Sequence, residues 1–253
     1  MRSQEELYAL PNCLVCHNSR VVPYKDPVLG DRTIECGCCQ YRKKINILRK
    51  SHIPNAYVQY ELGDYQMEAG DDADVWKSNK KSVKKLVGLL KNHKTVVRES
   101  VDILLYGGVS VGKTMLGCVM LKEYILQHGY TGKFVTSDEL IVLAMNKTRF
   151  NFDGLTLDDF LDVDFLMIDN FHTLVNLDDL KIKGMVKVYL SEFFQKRKHE
   201  GKSFILTSKL SLAPLMTRRV FVETMAYTLM DIRIGGRRGE TKRMERAKML
   251  GLV

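Results

Sequence analysis

The chain has 253 residues, 45% of them hydrophobic, and a formal charge of +9. That length suffices for one or two packed domains, and the basic balance points to an acidic partner, most often nucleic acid. No apolar run approaches the ~18 residues of a membrane span and MRSQEELYALPN lacks a signal-peptide core, so a cytoplasmic protein with no membrane partner is expected.

Residues 1–50 are short of large apolar side chains and rich in cysteine. Five of the six cysteines (Cys13, Cys16, Cys36, Cys38, Cys39) lie in this stretch. In a reducing compartment, clustered CxxC pairs read as metal ligands rather than disulfides. Cys13 and Cys16, then Cys36 and Cys39, form two such pairs separated by 19 residues, which predicts a four-cysteine zinc ribbon. Cys38 is an alternative ligand within its run, and His17 a weaker one. With so small an apolar core, bound Zn²⁺ would supply the folding energy. Tyr41-Arg42-Lys43-Lys44 and Arg49-Lys50 follow, either as a nucleic-acid surface or as a solvated helix face.

Residues 51–94 read as a connector with an acidic patch (Asp71, Asp72, Asp74) and a lysine-rich helix. Val83, Leu86, Val87 and Leu90 recur at helical spacing and define its expected apolar face. Residues 95–253 alternate strands and helices, implying an α/β fold whose parallel sheet is covered on both faces. The predicted order is a strand over 101–106, a helix over 113–128 stopped at Gly129, and a short strand over 133–136. Ser137 is the expected cap of the next helix. A strand over 163–168, a helix over 181–200 and a strand over 203–207 complete the pattern.

Between the first strand and helix runs Gly107-Gly108-Val109-Ser110-Val111-Gly112-Lys113-Thr114, which satisfies G-x-x-x-x-G-K-[ST]. The glycines let the backbone curl so that its N–H groups face phosphate oxygens, and the following helix presents its N-terminus to the same anion. Lys113 is expected on the β- and γ-phosphates of ATP, exposed while the cradle is empty. Thr114 is expected on Mg²⁺, with Met115 the next residue lining the site. Phe165-Leu166-Met167-Ile168-Asp169 is an apolar strand ending in a carboxylate, the Walker B arrangement, with Asp169 on Mg²⁺ through water. Many ATPases of this broad type have Glu next; here it is Asn170, which orients a water but cannot take its proton. Hydrolysis is therefore expected to be weak or assisted, with His172 the nearby candidate. Thr207, Ser208 or Lys209, at the polar end of the 203–207 strand, is the expected γ-phosphate sensor.

Taken in order, the Cys-rich module, His52-Ile53-Pro54-Asn55-Ala56-Tyr57, the amphipathic helix, the P-loop, the Walker B strand and the Thr-Ser strand end resemble the DnaC/DnaI-type helicase loaders and the related IstB transposition ATPases, within the AAA+ class. The resemblance covers roughly 13–238 and is to a divergent member, of a kind that phages encode. It implies an AAA+ core over 95–253, ATP and Mg²⁺, self-association, contact with single-stranded DNA, and an N-terminal module (1–50) docking on a replicative DNA helicase. It also implies an arginine finger after the last predicted strand, for which Arg219 is the candidate beside Arg218, although the alignment also admits Thr224. A γ-phosphate contact from Arg237 or Arg238 is a further possibility of the resemblance. Lys209 stands where the family has Asn. Seven basic residues lie between Arg233 and Lys248, an electrostatic phosphate binder or a solubilising tail. Three functions compete: a helicase loader, an IstB-like regulator of transposition acting on double-stranded DNA, and a non-hydrolysing ATP-bound adaptor.

Overall fold

The computed structural model describes residues 13–17, 19–27, 30–65, 73–146, 154–175, 184–216 and 229–235. Near the N-terminus, β1 (Val21–Asp26) and β2 (Gly30–Glu35) form an antiparallel hairpin. Helix α1 (Gly37–Lys50) starts at Cys36 and runs from the cysteines into the main body, where Ile45 and Leu48 are buried with Ile53. The Ser51 carbonyl then accepts from the Phe134 N–H at 2.7 Å. The helix that begins among the cysteines therefore ends inside the core of the larger unit.

A short helix α2 (Asn55–Val58), then α3 (Ala73–Lys91) and α4 (His93–Arg98), lead to the sheet. The face that α3 buries is shifted from the expected one. Leu86 and Leu89 are in the core with Asn79 and Ser82, whereas Val83, Val87 and Leu90 are only partly covered. The two polar residues face in because they bind backbone. Ser82 Oγ donates to the Arg233 carbonyl at 2.6 Å, and the Asn79 amide makes a reciprocal pair with Gly235 at 2.8 and 2.9 Å.

The sheet has five parallel strands in the order β4-β5-β6-β3-β7: β3 (Asp102–Tyr106), β4 (Gly132–Thr136), β5 (Phe165–Asp169), β6 (Ser203–Ser208) and β7 (Leu229–Arg233). Helix α5 (Lys113–Leu126) follows β3 and α6 (Ser137–Met145) follows β4. A short α7 (His172–Val175) follows β5, α8 (Gly184–His199) precedes β6 and α9 (Leu212–Met216) follows it. Alternate strand residues feed two cores. Leu104, Leu166, Ile168, Phe204 and Leu206 face one side, and Ile103, Leu105, Phe165, Met167 and Ile205 the other. Such double burial is why these strands read as unbroken apolar runs. Thr136, not Ser137, caps α6: its hydroxyl accepts from the Glu139 N–H, and the Glu139 carboxylate accepts from the Thr136 N–H at 2.7 Å. Ser137 is instead buried, donating to the Asn170 carbonyl at 3.0 Å. Among the described residues no helix is long and apolar enough to cross a membrane.

Candidate nucleotide site and cysteine cluster

The phosphate loop joins the C-terminal end of β3 to the first turn of α5. Two of its glycines have φ values that L side chains rarely adopt, +151° at Gly107 and +95° at Gly112. Space is equally limiting at Gly107, where a Cβ would fall 1.9 Å from the Ile234 carbonyl oxygen. The Ile234 N–H in turn donates to the Tyr106 carbonyl at 2.7 Å. Val109 and Ser110 are exposed on the loop and Val111 is buried under it. Met115 is partly buried, packed on the α5 side of the sheet.

Lys113 is not exposed as expected. It is buried, and its ammonium folds back to donate to the carbonyls of Gly107 and Gly108. Burial pulls its pKa below the usual lysine range, with Lys209 pushing the same way and Asp169 opposing.

Strand β6 lies between β3 and β5, so its end meets both the loop and the Walker carboxylate. Asp169 Oδ1 accepts from Thr114 Oγ1 at 2.8 Å and from Thr207 Oγ1 at 2.5 Å. Thr207 Oγ1 also accepts from the Asn170 N–H at 3.0 Å. Thr114 and Asp169 thus place hard oxygen donors side by side, as Mg²⁺ requires. Of the three sensor candidates, Thr207 binds the carboxylate. Ser208 braces the loop instead: its carbonyl accepts from the Gly107 N–H at 3.2 Å and its hydroxyl from the Leu210 N–H at 2.9 Å. Lys209 is exposed beyond them.

Asn170 is exposed, with a left-handed φ of 58° and its amide 3.4 Å from Asp169 Oδ2. His172 begins the turn of helix that follows. Its Nδ1 is buried without a hydrogen-bond partner among the described residues, and its pKa is lowered by burial and by Lys209 and Lys113. Arg218, Arg219, Thr224, Arg237 and Arg238 lie outside the described residues.

The cysteines regroup relative to the expected pairs. The Sγ atoms of Cys13, Cys16, Cys36 and Cys38 all lie within 4.8 Å of one another, whereas Cys39 turns away and donates to the Arg20 carbonyl at 3.4 Å. Adjacent positions on a helix point about 100° apart, so Cys38 and Cys39 cannot both face one point. Cys13 and Cys36 stand 3.7 Å apart and Cys16 and Cys38 3.5 Å apart. A tetrahedral site with metal–sulfur bonds of ~2.3 Å needs sulfurs about 3.8 Å apart, so the four thiols fit a metal. The backbone N–H groups of Cys16 and Val15 lower the Cys13 thiol to about 6, whereas burial and the neighbouring thiols push Cys38 up.

Comparison with known proteins agrees with this geometry. A family model described as IstB-like ATP binding protein matches residues 33–234. Among solved structures, the DnaC helicase loader is 19% identical with a TM-score of 0.56, over 72% of this chain and 100% of that one. DnaI is 18% identical with a TM-score of 0.53, over 75% of this chain and 98% of that one. The replication initiator DnaA bound to AMPPCP and single-stranded DNA is 17% identical with a TM-score of 0.52, over 80% of this chain and 57% of that one. At these identities the likeness is one of fold, that of an AAA+ P-loop protein. No curated protein sequence matches. The family match spans the loop, the Walker strand and β7 alike, and the chain belongs to the IstB-like ATP-binding proteins.

Proposed function

We propose that this protein is an ATP-controlled loader that places a replicative helicase on single-stranded DNA, using ATP mainly as a conformational ligand. The observation that carries the reading is the grouping at Asp169. Two threonine hydroxyls converge on one of its oxygens, and the next residue offers an amide where a proton acceptor would be needed. Thr114 and Asp169 would hold Mg²⁺, and Lys113 would leave the loop carbonyls for the phosphates. The metal would polarise the γ-phosphate. Asn170 would orient the attacking water without taking its proton, so turnover would be slow. Arg219 is proposed as a finger presented to a neighbouring copy in a homo-oligomer.

The four-thiol cluster is proposed to bind Zn²⁺ and to organise a module, over 1–50, that docks on the helicase. The fold is shared with a helicase loader and with an initiator seen with AMPPCP and single-stranded DNA, and the +9 charge suits a polyphosphate partner. The test is co-purification with the replicative helicase of the same cell in the presence of ATP, with phosphate release measured with and without DNA. The family match supports a second reading, an IstB-like regulator of transposition. Capture of a transposase and preference for double-stranded DNA would select it. Absence of turnover under every condition would leave an ATP-bound adaptor.

A further inference from the structure

The residue least expected at the phosphate loop is Tyr65, which ends a 3₁₀ turn over Leu62–Asp64 and carries no recognisable motif. Its ring lies against the last glycine of the loop. A Cβ on Gly112 would fall 2.9 Å from Tyr65 Cε2 and 3.4 Å from Cδ2, so the ring fills the volume that the glycine leaves. Its hydroxyl donates to the Val111 carbonyl at 3.3 Å.

That carbonyl belongs to the same peptide unit as the Gly112 N–H. In a planar trans peptide the C=O and the following N–H point in opposite directions, and no cis bond occurs among the described residues. Drawing the Val111 oxygen toward Tyr65 therefore turns the Gly112 N–H the other way. Phosphate loops bind anions through such N–H groups. The Val111 side chain is itself buried, so the peptide is held from two sides.

Tyr65 is delivered from firm ground. Lys122, on the helix that the loop opens, is buried and donates to the carbonyls of Val58 and Tyr60. The 3₁₀ turn closes on itself, with the Glu61 N–H donating to Asp64 Oδ2 at 2.7 Å. The segment bearing Tyr65 is thus fastened to the same helix whose N-terminus faces the nucleotide.

We propose that Tyr65 is a positioning residue of the phosphate cradle, fixing the Val111–Gly112 peptide so that its N–H faces the phosphates. This rests on the ATP-binding reading and adds to it a residue outside the motif. Its ligand is the polyphosphate itself rather than the base.

The test compares wild type with Tyr65→Phe and Tyr65→Ala in the full chain, titrated with ATP, ADP and inorganic tripolyphosphate. Removing the hydroxyl alone should weaken all three by a common factor of about 3–10, the range for one neutral hydrogen bond. Removing the ring should weaken them further. The Gly112 amide resonance should shift on adding tripolyphosphate to wild type and shift less in Tyr65→Phe, a readout that loss of general stability would not mimic. Weakened ATP and ADP with unchanged tripolyphosphate would assign Tyr65 to the base and overturn the proposal. Equal affinities in wild type and Tyr65→Phe would overturn it too. Wild-type protein that binds none of the three would instead remove the cradle reading on which it stands. Should Tyr65→Ala fail to fold, Tyr65→Phe carries the decision, since it keeps the ring against Gly112.

Discussion

Replacing Asn170 with Glu should raise ATP turnover and lower stability in the same protein. Asn170 has a left-handed φ of 58°, a conformation that asparagine tolerates and longer side chains do not. Forcing Glu into it costs about 1–2 kcal/mol. The 3.4 Å contact between the Asn170 amide and Asp169 Oδ2 would also become a repulsion between carboxylates. For a chain of this size, each kcal/mol corresponds to a fall of roughly 2–4 °C in melting temperature. A drop of several degrees is expected, smaller with Mg²⁺ present because the cation offsets the repulsion. Against this, a proton acceptor beside the attacking water is worth ~10²–10⁴-fold in rate. Imperfect placement would reduce that gain, so at least a ~10-fold increase in steady-state phosphate release is expected. The assay uses saturating ATP, Mg²⁺ and single-stranded DNA, with thermal melts of the same samples. Asn170→Asp is the companion variant, since Asp suits the left-handed conformation better and brings the same charge. Variants that fold, bind ATP like wild type and turn over no faster would refute the reasoning. Fast wild-type turnover would point to His172, whose pKa is lowered by burial and by Lys209 and Lys113, as the proton acceptor.

Purified protein should carry about one zinc per chain by elemental analysis, and Cys38→Ser should lower the metal content as much as Cys36→Ser, whereas Cys39→Ser should be mild. Equal losses from Cys38→Ser and Cys39→Ser would contradict the observed grouping of sulfurs. Lys113→Ala should abolish nucleotide binding in a folded protein, as read by direct titration and circular dichroism; retained ATP affinity would argue against the cradle. Binding to single-stranded DNA should fall steeply between low and moderate salt as counterions are released, and a flat salt dependence would rule out an electrostatic interface.

What could be read in the sequence follows from burial. Strands β3, β5 and β6 are covered on both faces, so their composition alone announces them, and the glycines and lysine of the loop follow at fixed spacing. Strand β7 lies at the sheet edge, with Ile232 its one buried residue, and its residues merge with the basic tail that follows. The β1–β2 hairpin is mostly exposed and carries no apolar alternation that pattern reading would register. Spacing rules chose Cys39 because they count residues; the helix that starts at Gly37 decides by direction, and it turns Cys38 inward. Thr207, Ser208 and Lys209 are equivalent by sequence, and only the position of β6 between β3 and β5 shows that the Thr207 hydroxyl meets Asp169. Tyr65 was invisible because its partners, Val111 and Gly112, lie 46 and 47 positions away with nothing in the sequence to join them.

The clamp on Gly107 has a consequence for the growing chain. The backbone that occupies the space beside this glycine comes from Ile234, and Asn79 secures the same stretch across 156 positions of sequence. A ribosome that has just released the Walker strand has made the phosphate loop and Asp169, yet not the segment that closes the flank of the loop. Synthesis advances at about 5–20 residues per second, so several seconds separate the loop from its clamp. The phosphate loop therefore lacks this neighbour until β7 has emerged and docked. A product terminated just before Leu229 would keep the full phosphate-loop sequence but lack the Ile234 backbone that packs beside Gly107. The flank of the phosphate loop is thus completed by the last of the described strands.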